Sequence, residues 1–263
     1  MDKVITIVSK EWAEVFKNKL VLSSVLFLPL ILALLPLGML YAFGRIEGME
    51  TELSDPEIMA FAGQQCAGLQ PADCTLVYTL NLFMLMFMIL PVAIPVTIAA
   101  YSIVGEKTTR SLEPLLATPI TTVELLSGKI IAAVVPAIVA TWVAFGIFVT
   151  GSFVLAPRAV FIETLDAHWL LGMFVLAPLL TILSTCIAVI VSSRVTDPRV
   201  AEQLSAVVIL PMILLLIGQS LGLILIDRQV MIYLALVALA LDGLLLVLAI
   251  RLFQREAILT RWK

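Results

Sequence analysis

Six stretches of roughly 20 apolar residues, each closed off by charged or turn-forming residues, decide what this chain can fold into. At about 1.5 Å per residue, a helix of that length crosses a hydrocarbon layer of ~30 Å, whereas a barrel strand needs only ~10 residues and alternates polar with apolar. The runs are continuous, so they read as membrane-spanning helices at residues 20–43, 75–104, 130–155, 168–191, 204–226 and 229–250. With 62% hydrophobic and 13% charged residues, the connections leave no soluble domain of ordinary size. The expectation is an all-α, polytopic membrane protein forming a single transmembrane domain over residues 1–263.

Residues 1–19 are too polar to span and lack the apolar core and cleavage site of a signal peptide. Val4, Ile5, Val8, Trp12, Val15 and Phe16 recur at helical spacing, opposite Lys3, Lys10, Glu14 and Lys17. This predicts an amphipathic helix lying in the membrane interface. Six crossings place both termini on one side, and cytoplasmic connections carry the excess of lysine and arginine. With the termini inside, 13 of the 16 basic residues fall inside, leaving Arg45, Arg158 and Arg228 outside. The chain is therefore expected in the cell membrane with both termini cytoplasmic. The outer connection, residues 44–74, holds five glutamates and aspartates between Glu47 and Glu57, and Asp73 near its end. Cys66 and Cys74 also fall there, outside the reducing cytosol, where a disulfide between them can persist. Two unpaired thiols are the alternative; Cys186, within the fourth span, reads as a small packing residue.

Several spans contain proline, and Pro91 and Pro95, one turn apart in the second, are expected to form a hinge. Asp242 lies well inside the last span, where a carboxylate costs about 2.5–3.5 kcal/mol to insert. It is a candidate for a translocation path or for proton coupling, with hydrogen bonding to Gln219 as the structural reading; Gln219 and Asn81 are weaker candidates for the same path. No phosphate-binding loop is present: Gly128-Lys129 is followed by Ile130 and has no glycine five residues upstream. His168 is the only histidine, read as interfacial beside Trp169, so neither a histidine metal cluster nor a Ser/His/Asp triad is expected.

One polar block remains between the second and third spans: GEKTTRSLEPLLATPITTVELLSGK, Gly105 to Lys129. Glu106 and Arg110 stand at i and i+4, as on an exposed helix, and Leu112, Leu115 and Leu116 form an apolar knuckle. Pro119 ends that helix, and Thr121 with Glu124 has the spacing of a capping box that starts the next. A short cytoplasmic helix with an apolar knuckle suits docking into a groove on a partner.

The block resembles the signature region of type-2 ABC transporter permeases, in which a Glu-Lys pair, a Thr/Ser-Leu-Glu run, a Leu-Leu-x-Thr-Pro turn and a Leu-Leu-x-Gly-Lys end join the second and third spans. The amphipathic leader and six spans resemble that family too. The resemblance implies a permease subunit without its own ATP site, a second permease copy to form a homodimer or heterodimer, and separate cytoplasmic ATPase subunits that hold ATP and magnesium. It also implies that Glu106, Lys107, Arg110, Leu112, Glu113, Leu115, Leu116 and Thr118 form the surface that docks on the ATPase. The chain departs from the family between its last two spans, where short re-entrant helices are often found and here only Asp227 and Arg228 interrupt the apolar run; residues 218–222 are the place where such a helix would turn back. The expected function is ATP-driven export. A secondary transporter coupled through Asp242 and a non-transporting scaffold that recruits an ATPase are the alternatives. No cofactor and no nucleic acid is expected on this chain, and its other partner is membrane lipid.

Overall fold

The computed structural model describes residues 2–43, 69–108 and 120–252. Among them every regular element is helical, and six helical segments are long and apolar enough to cross a membrane. Helix α1 spans Asp2–Val15 and α2 Lys19–Phe43; the second crossing is made by α3, Pro71–Phe87, and α4, Leu90–Thr108. The third is α5, Thr122–Leu155. The fourth is assembled from α6, Arg158–Glu163, α7, Ala167–Leu171, a π-helical turn at Gly172–Leu176, and α8, Ala177–Ser192. The fifth joins α9, Pro198–Ser205, through a 3-10 turn to α10, Ile209–Ser220, and the last is α11, Arg228–Leu252.

The second crossing is the most enclosed: α4 packs on α8, α5, α9 and α2, and its residues from Val92 to Val104 are almost all buried. The fifth and sixth crossings keep most of their leucine, isoleucine and valine side chains on the outside. In a membrane such faces need no further cover, because lipid tails are as apolar as leucine.

The paired prolines break the second crossing. Pro91 has no N–H to give the Phe87 carbonyl, and α3 ends at Phe87, with Met88 and Ile89 turning back to Met84, Leu85 and Met86. Pro95, inside α4, likewise cannot bond the Pro91 carbonyl. The Ser184 hydroxyl of α8 lies 3.2 Å from that carbonyl and 3.1 Å from the Thr181 carbonyl of its own helix, and shares its one proton between them. A neighbouring helix thus satisfies the backbone group freed by proline, as burial in a membrane bundle demands.

The fifth crossing begins and ends earlier than its apolar run: residues 198–220 rather than 204–226. Its end is set by Gly222, at φ 68°, a conformation that costs little only for glycine. The Leu223 N–H reaches the Gly218 carbonyl at 2.8 Å and the Gly222 N–H the Gln219 carbonyl at 3.0 Å, the paired bonds of a Schellman C-cap. Residues 223–227 then lead to α11 without a further helix. The chain turns at residues 218–222, but the re-entrant helix expected to turn back there is absent between α10 and α11.

Candidate functional site

The two helices that flank the polar block are tied together, and to α1, by charges buried at that end of the bundle. In α1, Ile7, Glu11 and Val15 are buried at i, i+4 and i+8, so one carboxylate lies on the face pressed against α4 and α5. In α4, Ser102 and Glu106 share a face one turn apart. In α5, the Thr121 hydroxyl accepts from the Glu124 N–H at 3.2 Å while the Glu124 carboxylate accepts from the Thr121 N–H at 2.8 Å. That capping box starts α5 where the sequence places it, and Lys129 follows two turns in.

Lys129 is the hub. Its ammonium donates to Glu11 Oε1 at 2.7 Å and to the Ser102 hydroxyl at 3.0 Å, and lies 2.6 Å from Glu106 Oε2. Three oxygens match its three N–H donors. Ser102 donates in turn to the second Glu11 oxygen, and Lys10 donates to Glu106 Oε1 at 2.7 Å. Two cations therefore face two carboxylates, and Glu11, Glu106 and Lys129 are each about 95% buried or more. Removing one member of such a set leaves an uncompensated buried charge, which costs about 3–5 kcal/mol. Lys10 sits at the rim. Partial burial disfavours its charged form, but the hydrogen bond and charge of Glu106, with Glu14 and Glu11, outweigh that and hold its pKa above the usual 10.5. Its part of the clamp is thus present at neutral pH and is lost only as pH rises past that raised value.

Three further contacts close α1 onto α5. The Trp12 indole N–H donates to the Ala132 carbonyl at 2.9 Å, and Lys3 stands 3.7 Å from Glu124. Gly128 lets the helices touch: a Cβ there would lie 2.7 Å from Ile7 Cγ2.

The expected docking residues divide. Glu106, expected on an exposed helix, is buried in the cluster with its charge directed at Lys10 and Lys129; it holds the helix that leads into the block. Arg110, Leu112, Glu113, Leu115, Leu116 and Thr118 lie outside the described residues, as does the side chain of Lys107. The apolar face expected on α1 is rotated: Ile7 and Val15 point inward with Glu11, while Ile5 and Trp12 are exposed beside them. Glu11 is the member of the buried cluster that the periodicity missed. Its signal was available, as a charge at helical spacing between Ile7 and Val15.

The three residues offered for a translocation path are buried in three separate places. The Asn81 side-chain oxygen accepts from Trp169 Nε1 at 2.9 Å and contacts His168 Nε2 at 3.1 Å. Both residues are packed inside the bundle, Trp169 among Phe87, Phe145 and Phe148. The Gln219 carbonyl accepts from the Tyr78 hydroxyl on α3 at 2.5 Å. Asp242, on the α11 face toward α8, has no hydrogen-bond partner for either oxygen among the described residues, so the expected bond to Gln219 is not made. Cys74, buried at the start of α3, is disulfide-bonded; Cys66, its expected partner, lies outside the described residues. Cys186 is a free, buried thiol.

No group of three or more histidine, cysteine, aspartate or glutamate side chains suited to a metal occurs among the described residues. No curated protein matches the chain at a significant level. A family model described as ABC-2 family transporter protein matches residues 5–232.

Proposed function

The chain belongs to the ABC-2 transporter family and is a permease subunit of an ABC transporter, and from that premise we propose that it is the membrane half of an ATP-driven exporter, worked by separate ATPase subunits that dock on residues 107–118. The observation that carries this reading is the buried cluster of Glu11, Ser102, Glu106 and Lys129. A surface helix hung on two independently mobile spans would bend when pushed. Here the helices on either side of the block share one ammonium with α1, so a displacement of the block moves three helices together. The ATPase closes on ATP, the block is driven, and two permease copies change access from the cytoplasmic to the outer side. Both termini and the block lie in the cytoplasm in this reading, supported by the bias of lysine and arginine to that side.

The test is reconstitution with the cognate ATPase in proteoliposomes. Leu112→Asp or Glu113→Lys is expected to abolish ATPase binding and ATP-driven transport while the permease still folds; full binding and coupling in both variants would remove the proposed docking surface. Asp242 keeps one rival in view, because a buried carboxylate without a hydrogen-bond partner at mid-span also suits proton-coupled transport. Under ATP-driven export, Asp242→Asn transports at an undiminished rate without a proton gradient. Under secondary transport, gradient-driven flux is lost in that variant and ATP has no effect.

A further inference from the structure

The fourth crossing widens by one residue where it meets a proline. At Gly172–Leu176 the turn is π-helical, and the Ala177 N–H reaches the Gly172 carbonyl, five residues back. The next carbonyl, that of Met173, would take the N–H of residue 178 if the ladder continued, but residue 178 is proline and has none. An acceptor so released inside a bundle has to be met from elsewhere. The donor is Trp142 of α5, whose indole Nε1 lies 2.9 Å from the Met173 oxygen, while its ring packs on Phe174 with centroids 5.4 Å apart. One side chain of the third crossing thus closes a gap in the fourth.

The break in the second crossing lies against this turn. A Cβ on Gly172 would lie 3.4 Å from Cε of Met88, which stands between α3 and α4, 3.7 Å from Sδ of Met84, one turn earlier, and 3.8 Å from Cε of Met231 near the start of α11. All three methionines are buried. Their unbranched thioether chains adapt to a changing outline, so they suit a surface across which helices tilt. Two crossings are therefore interrupted side by side, and the pieces on each side of the interruption are bound to each other. On the side of the polar block, α4 and α8 pack together, and the Thr97 hydroxyl of α4 donates to Glu202 of α9 at 2.5 Å. On the far side, Asn81 of α3 accepts from Trp169 of α7 at 2.9 Å, and α6 packs on α3. Helix α5 runs past both interruptions unbroken.

We propose that the far halves of the second and fourth crossings, α3 with α6 and α7, swing as one body about the contact of Met88 with Gly172, and that Trp142 is the positioning residue that holds them at rest. The inference rests on the proposed ATP-driven stroke: Lys129 of the clamp and Trp142 share α5, so a stroke that moves α5 draws the indole away from Met173. The fourth crossing is then left with a carbonyl stripped of its donor beside a π turn and a proline, the combination at which helices bend. The far ends of the bundle move while the buried charges keep the near ends together, which opens a path on the far side.

The test uses the full chain in nanodiscs, with spin-labelled non-canonical residues in place of the exposed Leu165, beyond the hinge, and Val200, on α9, so that the native cysteines stay unlabelled. The dipolar coupling between the two labels reads the swing. Trp142→Phe keeps a ring against Phe174 and removes the N–H, and because Trp142 is exposed on α5 the variant is expected to fold. Without any ATPase, it is expected to raise the ratio of swung to resting molecules by about 5- to 150-fold. Pro178→Ala supplies an N–H in line with the Met173 carbonyl. It is expected to hold the resting distance and, in Trp142→Phe/Pro178→Ala, to cancel the effect of the first substitution. A tryptophan that serves packing alone would lower stability in both backgrounds and leave the distance as it is. An unchanged distance in Trp142→Phe overturns the hinge, as does a full shift in the double variant. Addition of the cognate ATPase and ATP tests the stroke separately: a distance that shifts in Trp142→Phe but not in wild type given ATP supports the hinge and removes the ATP-driven stroke.

Discussion

Lys129 shows how one side chain acquires its importance from others that are far away in the chain. Read alone, it is a basic residue near the start of a span, useful for counting charge. Folded, it neutralises Glu11, 118 residues earlier, and Glu106 on the adjoining helix. Lys129→Met is therefore expected to destabilise the permease by about 3–5 kcal/mol, seen as a lowered unfolding midpoint in detergent. Lys129→Met/Glu11→Gln should recover part of that loss, because it removes a carboxylate left without its cation. If the double variant is less stable than the single one by the full cost of a second defect, the two residues do not act as a pair. Sequence periodicity could not assign this cluster: it recorded which residues share a helix face, whereas the cluster depends on how three helices approach. Glu11 came closest to being legible, as a charge on a buried stripe. Glu106 was misjudged because its neighbours in sequence are polar, and burial is decided by α1 and α5.

At the scale of the element, local signals were read well where they have a fixed chemistry. The capping box at Thr121 and Glu124 marks the start of α5, and paired prolines mark the break after Phe87. Hydropathy was a poorer guide to ends. Apolar residues continue through Leu221, Leu223, Ile224, Leu225 and Ile226, so composition carries the fifth span past the glycine that ends it. Gly222→Ala, forced to φ 68°, is expected to cost about 1–2 kcal/mol, and Gly222→Asn less, by thermal unfolding. The proline break makes a sharper test. Because the Ser184 hydroxyl stands in for the N–H that Pro95 lacks, Ser184→Ala is expected to cost about 0.5–1.5 kcal/mol in the wild type. In a Pro95→Ala background, where a backbone N–H can reach the Pro91 carbonyl, the same substitution should cost less, since only the Thr181 contact is then lost. Equal costs in the two backgrounds would show that the serine is not replacing the missing donor.

For the whole molecule, the proposed function separates docking from transmission. Residues 107–118 are the proposed point where force enters, and the α1–α4–α5 clamp is proposed to carry it onward, so a defect in the clamp should leave the ATPase bound but working idly. Gly128 allows the two to be distinguished without touching a charge. A leucine there would drive its Cβ to within 2.7 Å of Ile7 and lever α1 off α5. Overpacking of this kind costs about 1–3 kcal/mol, and if it is relieved by detaching α1, the ratio of docked to detached helix falls by about 5- to 150-fold. Gly128→Leu is accordingly expected to keep ATPase binding, measured by co-purification, and to lose most of the transport obtained per ATP hydrolysed. Ile7→Ala in the same chain takes away the Cγ2 that meets the new side chain and should restore part of the coupling. Loss of binding and coupling together would place Gly128 in the docking surface itself; retention of both would mean that α1 can leave α5 without consequence, and that the buried charges serve the fold alone.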